Sequence, residues 1–215
     1  MVGFADISIL PTEARHSLDR GISIGVALNP AVVKGISKGP NMSYYYEFVR
    51  ANDFLNYLAD YGSRLLAKKG YKAIPMIAKS SNPEMISAPF QHKTVATRAG
   101  LGWIGKSALL VTEKYGPALR LNSVLTDAPF ECGVPIENSR CGDCEECKDA
   151  CPGDAISGIQ WCVAKHRDEF FTALKCSRVL NNYKKELGLE SIMNTAGLCG
   201  KCIVVCPFAK KYLKG

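Results

Sequence analysis

Cysteine spacing constrains this chain more than any other feature. Cys141, Cys144, Cys147 and Cys151, followed by Pro152, form the run C-x2-C-x2-C-x3-C-P. A partial second run holds Cys199, Cys202 and Cys206, followed by Pro207, with Cys176 upstream. Eight of the ten cysteines thus fit a protein that carries two [4Fe–4S] clusters. Each iron of a cubane cluster takes one outside ligand, so four thiolates must converge on one pocket, and short spacings let a curling loop supply three. In two-cluster ferredoxins the cysteine before proline reaches across to the other cluster. By that rule Cys141, Cys144, Cys147 and Cys206 hold one cluster, and Cys151, Cys176, Cys199 and Cys202 hold the other. Cys162 competes with Cys176 for the eighth position. Cys132 falls outside the pattern and reads as a spare thiol.

Two other readings of the cysteines are weaker. Disulfide scaffolds are usually short and secreted, and no charged-plus-apolar leader stands before Pro11. Paired C-x2-C units also build zinc sites, but triple runs closed by Cys-Pro fit such units poorly. Iron-ligating thiolates need a reducing compartment, so the cytoplasm is the expected location. No apolar stretch is long enough for a membrane span.

The net charge is +7. Lys plus Arg against Asp plus Glu is 16 against 11 in residues 1–140 and 11 against 9 in residues 141–215. The excess is diffuse and reads as solvated surface, and no nucleic-acid motif accompanies it.

The pattern upstream of the cysteines predicts an α+β unit. Ile22 to Leu28 reads as a buried strand ended by Asn29-Pro30. A Gly/Pro/Ser-rich loop leads into a long helix from Tyr44 to Lys69, with apolar residues at three- and four-residue steps and Gly70 as its stop. Tyr71 to Ile77 reads as a strand and His92 to Ala99 as a short helix. Ala108 to Thr112 and Leu119 to Thr126 read as two strands of a hairpin turning at Tyr115-Gly116-Pro117. Residues 128–140 form a connector. Asp168 to Leu187 reads as one helix between the cysteine runs. The expected division is 1–135 for the α+β unit and 136–215 for the cluster module.

Residues 100–107, Gly-Leu-Gly-Trp-Ile-Gly-Lys-Ser, match G-x-x-x-x-G-K-S. A phosphate loop needs a strand before it and a helix after it. Here the order is reversed, and Trp103 would crowd a phosphate. The glycines are read instead as a helix-to-strand turn, with Lys106 either a turn lysine or a contact to an anionic cofactor group.

That segment also carries a resemblance. Arg98-Ala-Gly-Leu-Gly-Trp-Ile-Gly-Lys-Ser-Ala-Leu-Leu110, Tyr115-Gly-Pro117, Leu125-Thr-Asp127 and the cysteine order together resemble the epoxyqueuosine reductase family. The resemblance covers roughly residues 20–210, and reductive dehalogenases are related in architecture. It implies a nitroreductase-like, cobalamin-binding domain fused to a two-cluster ferredoxin-like module, with electrons passing from the clusters to cobalamin. By analogy the corrin pocket is lined by Ile86, Ser87, Ala88 and Pro89, by Leu110 and Leu121, and by Lys201. The chain departs from the family at its acid. Ile86 stands where the family's D-[ST]-A-P motif has a proton-donating aspartate, and isoleucine cannot donate a proton. The family's G-R-D-Y-H segment is missing from the long helix as well. A short relative that is not an epoxyqueuosine reductase is therefore expected, one that delivers electrons to cobalamin and draws them from an electron-donor protein. Two alternatives stand beside it. One is a plain electron carrier whose N-terminal docking domain is empty. The other is a reductase with another donor such as His92, which reads equally as a polar residue opening its helix.

Overall fold

The computed structural model describes residues 1–76, 90–191 and 198–214. Ile86, Ser87, Ala88 and Pro89 lie outside the described residues.

A four-stranded antiparallel sheet has the order β1-β2-β6-β3, with β1 Val2–Asp6, β2 Arg20–Ala27, β3 Ala73–Met76 and β6 Leu119–Thr126. Strand β6 lies inside the sheet because five consecutive residues, from Asn122 to Thr126, are buried. It pairs with β2 from Arg20↔Thr126 to Ala27↔Leu119 and with β3 on its other edge. The expected hairpin between residues 108–112 and 119–126 does not form. Instead β5 (Leu110–Val111) pairs with β4 (Trp103–Ile104). The Tyr115-Gly116-Pro117 turn closes on Thr112, whose amide donates to the Gly116 carbonyl at 3.1 Å. Gly116 has φ +55° and lies against the backbone of Phe208 and Ala209, so a side chain there would collide with the last helix.

Helix α1 (Pro30–Lys34) is followed by α2 (Met42–Lys68), which covers one face of the sheet. The Asn41 side chain caps α2 by accepting from the Tyr44 amide at 3.0 Å. The buried stripe runs Tyr44, Glu47, Ala51, Leu55, Ala59, Ser63 and Leu66. Leu65, read from the sequence as apolar periodicity, is exposed. Glu47 is tolerated in the stripe because Arg50 donates twice to its carboxylate at 2.7 Å and the Asn29 amide donates at 2.7 Å. Those hydrogen bonds hold its carboxyl below the usual range. Helix α3 (His92–Arg98) packs on the opposite face, with Val95 buried among Ala5, Ile7 and Leu125.

The cluster module adds α4 (Glu146–Asp149), α5 (Ala173–Glu186), α6 (Lys201–Val204) and α7 (Pro207–Lys214). The helix expected over 168–187 is broken in two. A 3-10 turn spans Arg167–Glu169, and α5 starts only at Ala173. Phe170 enters a core with Ala96, Ile104 and Leu110, while Phe171 forms a β-bridge with Ile156. Tertiary burial there outweighs helical periodicity. The division at residue 135 does not separate two cores. Leu28, Val33, Ile36, Tyr44 and Ala118 are packed in one cluster with Leu189, Leu198, Ile203, Ala209 and Leu213. The Tyr212 hydroxyl donates to the Leu28 carbonyl at 2.8 Å across the same seam.

Candidate cluster-binding site and the cavity beside it

The two cysteine runs face one another through short helices. Cys147 sits on α4, Cys176 on α5 and Cys202 on α6, and Cys206 lies between α6 and α7. Gly200, at φ +81°, turns the chain into α6. Burial, followed by repulsion from Cys141, Cys206 and Cys144, pushes the Cys147 thiol up to about 11. Burial, followed by Cys151 and Cys199, pushes Cys176 up to about 11. Cys202 is raised furthest, by burial and then by Cys199, Cys176, Cys147 and Cys151. Cys147 thus has Cys141, Cys144 and Cys206 as its neighbours, while Cys202 has Cys199, Cys176 and Cys151 as well as Cys147. The two expected groups are therefore neighbours. Cys162 instead bridges to Asn138, and the Cys132 thiol points at the Phe130 carbonyl at 3.6 Å.

The donor chemistry fits two iron–sulfur clusters. Burial first, and neighbouring thiols second, keep Cys147, Cys176 and Cys202 protonated, and a cation beside them would favour the thiolates. Backbone amides also aim at the sulfurs. Ala155 N–H donates to Cys151 Sγ at 3.3 Å, and the amides of Phe208 and Ala209 donate to Cys206. Such N–H···S contacts stabilise thiolate and tune cluster potential.

Lys106 lies beside the first group. It is 4% exposed, and its Nζ donates to the Cys144 carbonyl at 3.0 Å. It is neither a solvated turn lysine nor free to hold a phosphate. The Gly100–Ser107 segment runs from α3 into β4, as its helix-to-strand reading requires.

Of the residues expected to line a corrin pocket, Leu110, Leu121 and Lys201 are among those described. Leu110 is buried in the core beside Ala96, Ile104 and Ala108, with Leu121 packed at its margin. Lys201 Nζ reaches the Ser37 carbonyl near α1. His92 shares a hydrogen bond with Ser123 Oγ through Nδ1 at 3.1 Å and meets the Phe90 ring edge-on. Burial, then the Arg120 charge, pulls its imidazole down to about 4. At neutral pH it is uncharged and a poor general acid.

A cavity of about 620 Å³ does touch the second cysteine group. Cys176 forms part of its wall, as do Trp161, Phe170 and Leu180 and, from α3, Lys93 and Thr97. Neither Lys93 nor Trp161 stands out in the sequence as functional. One signal was available for Lys93: a lysine in the first turn of a helix opposes the helix dipole.

A family profile described as a 4Fe-4S double cluster binding domain matches residues 140–209. The chain is 27% identical over 175 residues to the epoxyqueuosine reductase of Aliivibrio fischeri, covering 81% of this chain and 44% of that protein. It is 35% identical over 114 residues to that of Listeria monocytogenes, covering 53% and 28%. The match thus spans less than half the length of these curated relatives. Among solved structures, selenomethionine-labelled epoxyqueuosine reductase superposes with a TM-score of 0.60 at 21% identity, covering 98% of this chain and 62% of that one. A reductive dehalogenase whose structure suggests a mechanism for B12-dependent dehalogenation superposes with a TM-score of 0.68 at 18% identity, covering 96% and 29%. These likenesses show a shared mixed α/β fold. Among the described residues no helix is long and apolar enough to cross a membrane. The chain is a relative of the epoxyqueuosine reductases over part of their length, and its residues 140–209 match a 4Fe-4S double cluster binding domain.

Proposed function

We propose that this protein relays single electrons through two [4Fe–4S] clusters to an acceptor held against the N-terminal α+β part. Cys141, Cys144, Cys147 and Cys206 hold one cluster, and Cys151, Cys176, Cys199 and Cys202 hold the other. The clusters supply one-electron chemistry when bound. The protein's own residues set the route. The two thiol groups adjoin at Cys147 and Cys202, and the second group ends at the cavity wall through Cys176. That contiguity from thiols to cavity is the observation that carries the reading.

Kinship suggests cobalamin as the acceptor, in a nitroreductase-like N-terminal domain, since a structural neighbour is described as B12-dependent. Of the anticipated contacts, Leu110 and Leu121 pack together while Lys201 reaches Ser37, and no step is routed through a corrin. His92, neutral and turned to Ser123, is not the acid that would replace the aspartate absent at Ile86. Electron delivery is therefore favoured over proton-coupled reduction. An electron-donor protein completes the path, and the cytoplasm suits the thiolate chemistry.

Anaerobic reconstitution tests the reading. About eight irons per chain and a reduced-cluster paramagnetic signal are expected. A chain holding zinc, or at most four irons, refutes it. Added cob(III)alamin reduced by the dithionite-poised protein no faster than by dithionite alone removes cobalamin as the acceptor.

A further inference from the structure

Lys93 is a charge without a partner. Its ammonium turns inward and donates to the Ala108 carbonyl at 2.6 Å. Among the described residues it makes no other hydrogen bond and no ion pair. Among the described residues one other cation of the cavity is ion-paired, and two, like Lys93, rest on carbonyl oxygens. Arg167 pairs with Asp168 at 2.7 Å, Lys165 donates to the Gln160 carbonyl at 3.2 Å, and Arg98 donates to the Asp6 carbonyl. Among the described residues Glu137 is the one carboxylate on the wall; it is exposed and makes no ion pair with Lys93. The charge that most affects Lys93 is a like one, Arg167, which adds to burial in pulling the amine down to about 8.

An inward cation with no counter-ion is costly unless an anion arrives. The walls around it are apolar and aromatic, with Ile104, Trp161, Phe170, Phe171 and Leu180 facing the space. Its volume falls within the range that encloses a small ligand. We infer that this cavity is a binding site for a small organic anion, a carboxylate on a flat apolar body. The carboxylate pairs with Lys93, and the body lies between Trp161 and Phe170 against the Cys176 side of the second cluster. The inference rests on the electron-relay reading for its meaning, and it names the class of molecule the relay serves. Arg98 and Lys165 add positive potential, which favours an anion over an uncharged molecule of the same shape.

The test compares 2-naphthoate with its uncharged amide, 2-naphthamide, by calorimetry on the reconstituted protein. The acid is expected to bind at least about tenfold more tightly than the amide. Lys93→Met is expected to equalise the two, and Lys93→Arg to restore the preference for the acid. Bound acid is also expected to shift the paramagnetic spectrum of the cluster that Cys176→Ala abolishes, and to leave the other unchanged. Equal binding of acid and amide by the wild-type protein, no binding at millimolar concentration, or an undiminished preference in Lys93→Met overturns the inference. The wild-type comparison stands even where a variant fails to fold. Iron content separates the two readings: eight irons without acid binding sinks the site alone, and acid binding without clusters sinks the relay alone.

Discussion

Lys106 donates from Nζ to the Cys144 carbonyl at 3.0 Å, from a side chain only 4% exposed. The segment before it touches the same thiols, since a Cβ at Gly105 would stand 3.6 Å from Cys141 Sγ. A buried ammonium is thus fixed beside the first cysteine group. An added electron makes a four-thiolate cluster one unit more negative, and a nearby cation favours that state. Lys106→Met is expected to lower the potential of this cluster by something on the order of 1 kcal/mol, roughly 40 mV for one electron. The second cluster is expected to hold its potential. A redox titration followed by paramagnetic resonance measures both, and an unchanged first potential refutes the coupling.

Cys206 follows Cys141 by 65 residues, yet the two lie in one group. Cys206→Ala is expected to remove one cluster and leave about four irons per chain. Cys176→Ala is expected to remove the other. Cys162→Ala, at a position bridged to Asn138, is expected to keep about eight. Iron and sulfide analysis of the three variants decides between Cys176 and Cys162.

His92 has a definite pH signature. Its folded value is about 4, below the ordinary 6.5. The unfolded chain therefore binds the extra proton between those values, and stability falls as pH drops from about 6.5 to about 4. His92 accounts for up to roughly 3 kcal/mol of that loss, less whatever water reaches the ring. In His92→Gln this component disappears, so the wild type's stability relative to the variant declines as pH falls through that window. Paired denaturation curves at pH 7 and pH 5 measure it. A pH-independent difference would mean that the imidazole is not held neutral.

Ile203 is 8% exposed in a core shared with Leu28 and Val33. Ile203→Ala is expected to cost about 2–5 kcal/mol. The loss should appear together in circular dichroism of the sheet and in absorbance of the clusters. A cluster transition well separated from the loss of the sheet would refute a common core.

Much of this was readable from residue spacing. The cluster-binding stretch was legible because the short cysteine spacings are a local pattern, and residues 140–209 match a 4Fe-4S double cluster binding domain. The long helix was legible because seven turns of periodicity outweigh single exceptions such as Glu47. The misreadings have one cause. Strand β6 abandons its chain neighbour β5 for β2 and β3, and Phe170 breaks a helix to reach Ile104 and Leu110. Both choices are set by burial across long separations, which a local pattern does not record. Lys93 was missed for the converse reason: its place in the first turn of α3 was a faint signal, and the lack of a carboxylate beside it among the described residues shows only in three dimensions.

The seam joining Tyr212 to Leu28 has a consequence for how the protein comes into being. During synthesis the sheet can assemble early, but one wall of its core waits for residues 189–213. Cys202 and Cys206 pack against that same wall. A substitution that loosens the seam therefore disturbs the sheet and the thiols in one step, and neither part can slacken while the other stays fixed.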